Sequence, residues 1–173
     1  GTALPGRMWA HEHSGFQLDA LSLGKKTQVC GCLVGPKVDQ EPENVFKVGS
    51  RINSTFGGNL TDMVRFGRYL EVIAEERLVD NARTVGAQLL SGLQGLQDEL
   101  GGLMSNARGR GLMVAFDLPT PEQRDRAHKR IIEEGLLLLT CGPRSIRFRP
   151  PLNLSASEAD TAVGPLRRAL RSL

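Results

Sequence analysis

From Thr61 to Leu100 apolar side chains recur mostly at three- and four-residue steps: Val64, Phe66, Leu70 and Ile73, then Leu78, Ala82, Val85, Leu89, Leu93, Leu96 and Leu100. That spacing keeps one face of a helix apolar and predicts one long kinked helix or two in sequence. Asn59 or Thr61 can cap its start, and Asp62 suits the positive end of the first turn. Gly86, Gly92 and Gly95 weaken the second half, each by about 1 kcal/mol relative to alanine. Residues 1–60 lack this period. Short apolar stretches closed by glycine, "ALSLG" and "VFKVG", predict strands there. Downstream, "GRGLMVAFDL" reads as a buried strand. In "TPEQ", Thr120 serves as cap, Pro121 takes the first helical position and Gln123 closes a capping box, with the helix stopping near Gly135. "LLLLT" and "SIRFRP" predict two more strands, the second ended by Pro150 and Pro151. Ser155 and Glu158 of "SASE" form a capping box for a last helix with Ala159, Ala162, Val163, Leu166 and Leu170 on its apolar face. Strand, helix, strand, strand, helix is a small α/β layer packed on a long helix.

Composition narrows this without redirecting it. The 173 residues fit one domain or part of a larger one, and 40% hydrophobic with 24% charged residues describe a globular chain rather than a disordered one. The net charge of +3 is small, and Arg167, Arg168 and Arg171 gather where a helix C-terminus favours cations. Charge therefore gives no reason to expect nucleic acid. Cys30, Gly31 and Cys32 lack the second ligand pair of a structural zinc site, so the three cysteines read as packing residues in a reduced, cytoplasmic setting. The longest apolar run, Leu112 to Phe116, is far below the roughly 20 residues that cross a bilayer, so no membrane is expected. His11 and His13 flank Glu12 without a third ligand and read as surface residues, and His128 as a solvated one; no metal site is expected. The opening "GTALPGRMWA" reads as a chain entered in the middle, with an N-terminal segment missing.

Three stretches carry more than a core requires. In "SLGKKTQVCGC", Lys25 and Lys26 point to opposite faces if strand geometry persists, so at most one enters a pocket. A desolvated lysine beside another cation loses its proton readily, and the neutral amine attacks carbonyls, which makes Schiff-base chemistry possible. In "NSTFGGN", residues 53–59, hydroxyls and glycine-exposed N–H groups lie just ahead of a helix start. That suits a phosphate, and it equally suits a plain helix entry with Asn59 as its cap. Arg147 and Arg149 flank Phe148 and share one strand face, where each needs an anion: a ligand carboxylate or a structural Asp or Glu. An amine nucleophile, a phosphate cradle and a carboxylate clamp together describe a site for pyridoxal 5'-phosphate and an amino acid.

The motifs "LGKKTQVCG", "SRINSTFGGNLTDMVR", "GRGLMVAFDLPT" and "RFRPPLNLS", in this order along the whole chain, resemble the C-terminal part of class III aminotransferases, most closely their L-lysine 6-aminotransferase branch. The resemblance implies the C-terminal part of a fold-type I α/β transferase. Residues 1–60 would be the tail of the large cofactor-binding domain, 61–100 the linking helix region and 101–173 the small α/β domain. It also implies that Lys25 forms the internal aldimine and Lys26 does not. Ser54 and Thr55 would bind the cofactor phosphate of the neighbouring subunit in a homodimer, Asn53 would line the substrate pocket, and Arg147 would hold the carboxylate of lysine or 2-oxoglutarate. Leu60 departs from the proline many members carry after "GGN", a departure the lysine-specific branch shares. The family's ring-nitrogen carboxylate, stacking aromatic and most of its phosphate loop lie upstream of this chain, which alone is therefore expected to be inactive. A truncated, non-catalytic α/β module of the same descent is the alternative.

Overall fold

A computed structural model describes residues 2–52 and 55–173. The long amphipathic stretch is two helices, α1 (Leu60–Glu75) and α2 (Leu78–Leu100). The break is at Arg77, whose φ of 52° leaves the right-handed region and so ends the hydrogen-bond ladder of α1. Asn59, not Thr61, caps α1, accepting the Asp62 N–H at 3.3 Å. On α2 the predicted face is buried: Ala82, Val85, Leu89, Leu93 and Leu96.

A four-stranded antiparallel sheet in the order β3, β4, β6, β5 lies beside α2. "GRGLMVAFDL" is not one strand but a hairpin joining β3 (Ser105–Arg110) to β4 (Met113–Asp117). Its turn needs the positive φ of Gly111, 54°, a conformation open to glycine. After α3 (Pro121–Glu133), the strands β5 (Leu139–Cys141) and β6 (Ser145–Phe148) lead to α4 (Ala156–Arg171). Thr120 caps α3 by accepting the Gln123 N–H, but the Gln123 side-chain oxygen is buried without a partner, so the predicted reciprocal bond is not made. The Ser155–Glu158 capping box is formed as expected.

Alternation divides the sheet's two faces. Val114, Phe116, Ile146 and Phe148 are buried with Leu89, Leu93, Ile131, Leu166 and Leu170 in a core that also takes in Leu4. The other face carries Ala115 level with Arg147, and Arg147 level with Leu139. Gly86 of α2 meets the backbone of Gly111, which meets the backbone of Leu4 to Gly6, and Leu112 N–H donates to Leu4 carbonyl at 3.0 Å. Glycine is required here because a Cβ on either residue would overlap main-chain atoms. His13 adds a second tie to the hairpin, donating from Nε2 to Pro5 carbonyl at 2.9 Å and accepting from Arg110 on Nδ1 at 3.1 Å; a carbonyl only accepts and a guanidinium only donates, which fixes the tautomer. His128, expected in water, is half-buried with Nε2 against the Leu138 carbonyl at 2.9 Å.

Residues ahead of α2 bury far less. The paired strands β1 (Ala20–Leu23) and β2 (Gly31–Val34) contain no buried residue. "VFKVG" is a series of turns rather than a strand. Cys30 and Cys32 are exposed, contrary to a packing role. Phe56, Leu60 and Val64 are 77%, 73% and 74% exposed. No described helix is long and apolar enough to cross a membrane.

Candidate active site

The two lysines sit in the connection of the β1–β2 hairpin, and strand geometry does not persist through them. Lys25–Thr27 is a single 3-10 turn, entered at Lys25 with φ 58° and left at Gln28 with φ 64°. The left-handed region costs a residue with a Cβ roughly 1 kcal/mol, and such outliers gather at functional positions. Thr27 secures the turn: it is 3% exposed, and its Oγ1 donates to Val29 carbonyl at 2.7 Å. Arg65 of α1 reaches Gln28 Oε1 at 3.3 Å, tying the turn to the helix that follows the Thr55 loop.

Because the segment is a turn, both lysines line one cavity of about 300 Å³, overturning the expectation that at most one enters a pocket. The backbone, not the cavity, distinguishes them: Lys25 alone of the two has positive φ. Leu18, Leu21 and Leu23 contribute apolar lining, Trp9 and His11 come from the N-terminal segment, and Arg149 lines the cavity as well. Among the described residues no cluster of His, Cys, Asp and Glu is arranged to hold a metal ion.

Arg149 was noted in the sequence only as the strand neighbour of Arg147, yet it is the arginine that lines the Lys25 cavity. Arg149 lies just past the end of β6 (Ser145–Phe148), where strand alternation no longer says what a side chain meets. The structural alternative for both arginines is not realised, since no described Asp or Glu forms an ion pair with either. Each has its Nε atom buried without a hydrogen-bond partner. Trp9 and His11 were also missed as cavity residues, and a single loop gave no period from which to place them.

Thr55 is exposed on the loop ahead of α1, where Gly58 with φ 74° turns the chain into Asn59. Asn59 itself is committed to capping. Asn53 and Ser54 lie outside the described residues. Away from the cavity, Asp117 organises the sheet's open end. Burial pushes its carboxyl up, but hydrogen bonds from Ser145, Asn106 and Arg108, with the Arg108 charge, outweigh this and hold it below the usual range. Asn106 and Arg108 reach it at 2.8 and 2.9 Å, and the register shift in β3 between Ser105 and Arg108 brings them there.

Lys25, exposed and at positive φ, thus shares the lining of one cavity with three leucines and with Arg149, an arginine without an acidic partner among the described residues. The model of the aminotransferase class-III family matches residues 1–170, and the chain belongs to that family, whose members are pyridoxal 5'-phosphate enzymes. It is 45% identical over 173 residues to the L-lysine-epsilon aminotransferase of Amycolatopsis lactamdurans, covering 99% of this chain and 38% of that protein. With the L-lysine-epsilon aminotransferase of Streptomyces clavuligerus it shares 44% identity over 167 residues, 96% of this chain and 36% of the other. The structure of lysine aminotransferase from M. tuberculosis in the internal aldimine form superimposes with a TM-score of 0.95 at 44% identity, over 99% of this chain and 40% of that one. The chain thus has the fold of the C-terminal part of these α/β enzymes and spans about two-fifths of their length.

Proposed function

We propose that this chain is the C-terminal part of an aminotransferase that moves the terminal amino group of L-lysine, or of a similar ω-amine, to 2-oxoglutarate. The observation that carries the reading is that Lys25 lines a cavity together with three leucines and Arg149, whose Nε is buried without a partner. A flat aromatic aldehyde suits that lining, and Lys25 would hold it covalently. Thr55 and Ser54 would hold its phosphate from the neighbouring subunit of a homodimer, a role consistent with the exposed Thr55 loop and the apolar surface of α1. When bound, pyridoxal phosphate supplies an electron sink for the substrate carbon that bears the amino group. The chain's own residues do the rest. Lys25 takes and returns the proton at that carbon. Arg147 orients substrates by a forked pair of hydrogen bonds to a carboxylate, and Asn53 lines the pocket.

In this reading residues 1–60 end the cofactor-binding domain, 61–100 link it to the rest and 101–173 form the small domain of a cytoplasmic enzyme. The carboxylate and aromatic ring that complete the cofactor site belong to the part of the relatives that the chain does not span. Without that electrostatic partner the present residues are inactive by themselves. The test is borohydride reduction of the full-length protein with pyridoxal phosphate, followed by peptide mass spectrometry. The adduct is expected on Lys25, to persist in Lys26→Ala and to vanish in Lys25→Ala. No adduct at all would return the chain to the alternative of a non-catalytic module. A donor panel led by ornithine or γ-aminobutyrate would replace lysine as the donor.

A further inference from the structure

Resting on the aminotransferase reading only for what the Lys25 cavity holds, we propose that His13 is a positioning residue of that cavity: its neutral ring latches the Trp9–His11 segment to the β3–β4 hairpin, and a second proton on the ring releases it. Ala10–His13 is a single 3-10 turn that divides two cavities. Trp9, Ala10 and His11 line the Lys25 cavity, whereas Glu12 and His13 line a second one, of about 640 Å³, with Arg7, Arg83 and Arg110. The turn is tied internally, Trp9 N–H donating to Glu12 Oε1 at 2.6 Å and Glu12 N–H to the Trp9 carbonyl at 3.2 Å. Whatever moves His13 therefore moves Trp9 as well.

The half-buried His13 ring uses its one donor on the Pro5 carbonyl at 2.9 Å and its one acceptor on Arg110 at 3.1 Å. Among the described residues, no other side-chain hydrogen bond runs from this turn to another element. A second proton turns the acceptor into a donor aimed at a guanidinium, which has nothing to accept it with. The surroundings offer no compensation. Arg7, Arg83 and Arg110 are cations on the same cavity, Asp80 of α2 is taken up by Arg83 at 2.6 Å, and Glu12, the one acid in the lining, is bonded to Trp9. The neighbouring His11 faces the other cavity with Lys25 and Lys26. Imidazoles change charge between about pH 5 and 8, so the latch closes toward the upper end of that range and opens toward the lower.

Leu112 reports the latch, because its N–H donates to the Leu4 carbonyl across the same contact between N-terminal segment and hairpin. In the full-length protein its amide protection factor, corrected for the intrinsic pH dependence of exchange, is expected to fall about fivefold between about pH 8 and 5, the scale of one lost hydrogen bond. Hydroxyl-radical labelling of the Trp9 side chain, read by peptide mass spectrometry, is expected to rise with it. His13→Gln keeps a donor for Pro5 and an acceptor for Arg110 without titrating, and should hold the high protection and low labelling at both pH values. His13→Leu should show at the upper pH what the wild type shows at the lower. A wild type without a pH step, a step of equal size in His13→Gln, or a step at Leu112 with none at Trp9 would overturn the assignment, the last by leaving a tie that does not reach the cavity. The two readings fail separately: absence of a borohydride adduct on Lys25 would strike the aminotransferase reading and leave a pH step that His13→Gln removes still standing.

Discussion

Asp117 shows how one side chain holds a sheet edge together. It accepts from Ser145, Asn106 and Arg108, three groups on two strands whose polar atoms would otherwise compete for water in a half-dry corner. Asp117→Ala should therefore cost about 1–3 kcal/mol, read as a lower urea midpoint. Because the folded-state pKa lies below the ordinary value, the carboxylate's contribution is complete above the unfolded pKa of about 3.9 and is lost as pH falls through the lower folded value. The stability gap between wild type and Asp117→Asn should be constant from neutral pH down to about 4 and close below it. The lysine pair makes a complementary point. Two identical side chains share one cavity, and what separates them is a single dihedral that no alternation of polar and apolar residues encodes.

At the scale of elements, glycines within α2 have opposite meanings. Gly95 has open space where a Cβ would go, so Gly95→Ala should stabilise by about 1 kcal/mol through helix propensity alone. At Gly86 the same change puts a methyl group into the Gly111 backbone; overpacking of about 1–3 kcal/mol or more exceeds the propensity gain, and thermal melting should show a net loss. Ser155→Ala should cost about 0.5–2 kcal/mol, since it removes the cap and the box together. Helices and caps were legible because burial on one side imposes a period and a free helix end demands a particular side chain. Strand β3 was not: Ser105–Arg110 is polar and mostly exposed, so it carries no apolar signal, and its hairpin partner absorbed it into one apparent run. Strand β2, which buries nothing, was silent for the same reason. At the cavity, Lys25 was singled out from its motif while Arg149 was noted only as the strand neighbour of Arg147, because its place beside Lys25 is a relation between segments distant in sequence.

In the whole molecule, burial is uneven. Residues 78–173 supply nearly all of the core, while the lysine hairpin and α1 contribute no fully buried side chain except Thr27. Hydrogen exchange of this chain should accordingly show protection in α2, β4, β6 and α4, and rapid exchange through β1 and β2. Three arginines bind the last helix to its neighbours: Arg167 and Arg171 both reach Glu99 at the end of α2, at 2.9 and 2.6 Å, and Arg168 reaches Glu134 beyond α3 at 2.7 Å. Leu4, near the start of the chain, and Leu170, near its end, share one core. The lysine hairpin, which buries only Thr27, therefore hangs from a body whose integrity depends on a contact spanning the sequence from Leu4 to Leu170, so loosening α4 should be felt at the Lys25 turn as well.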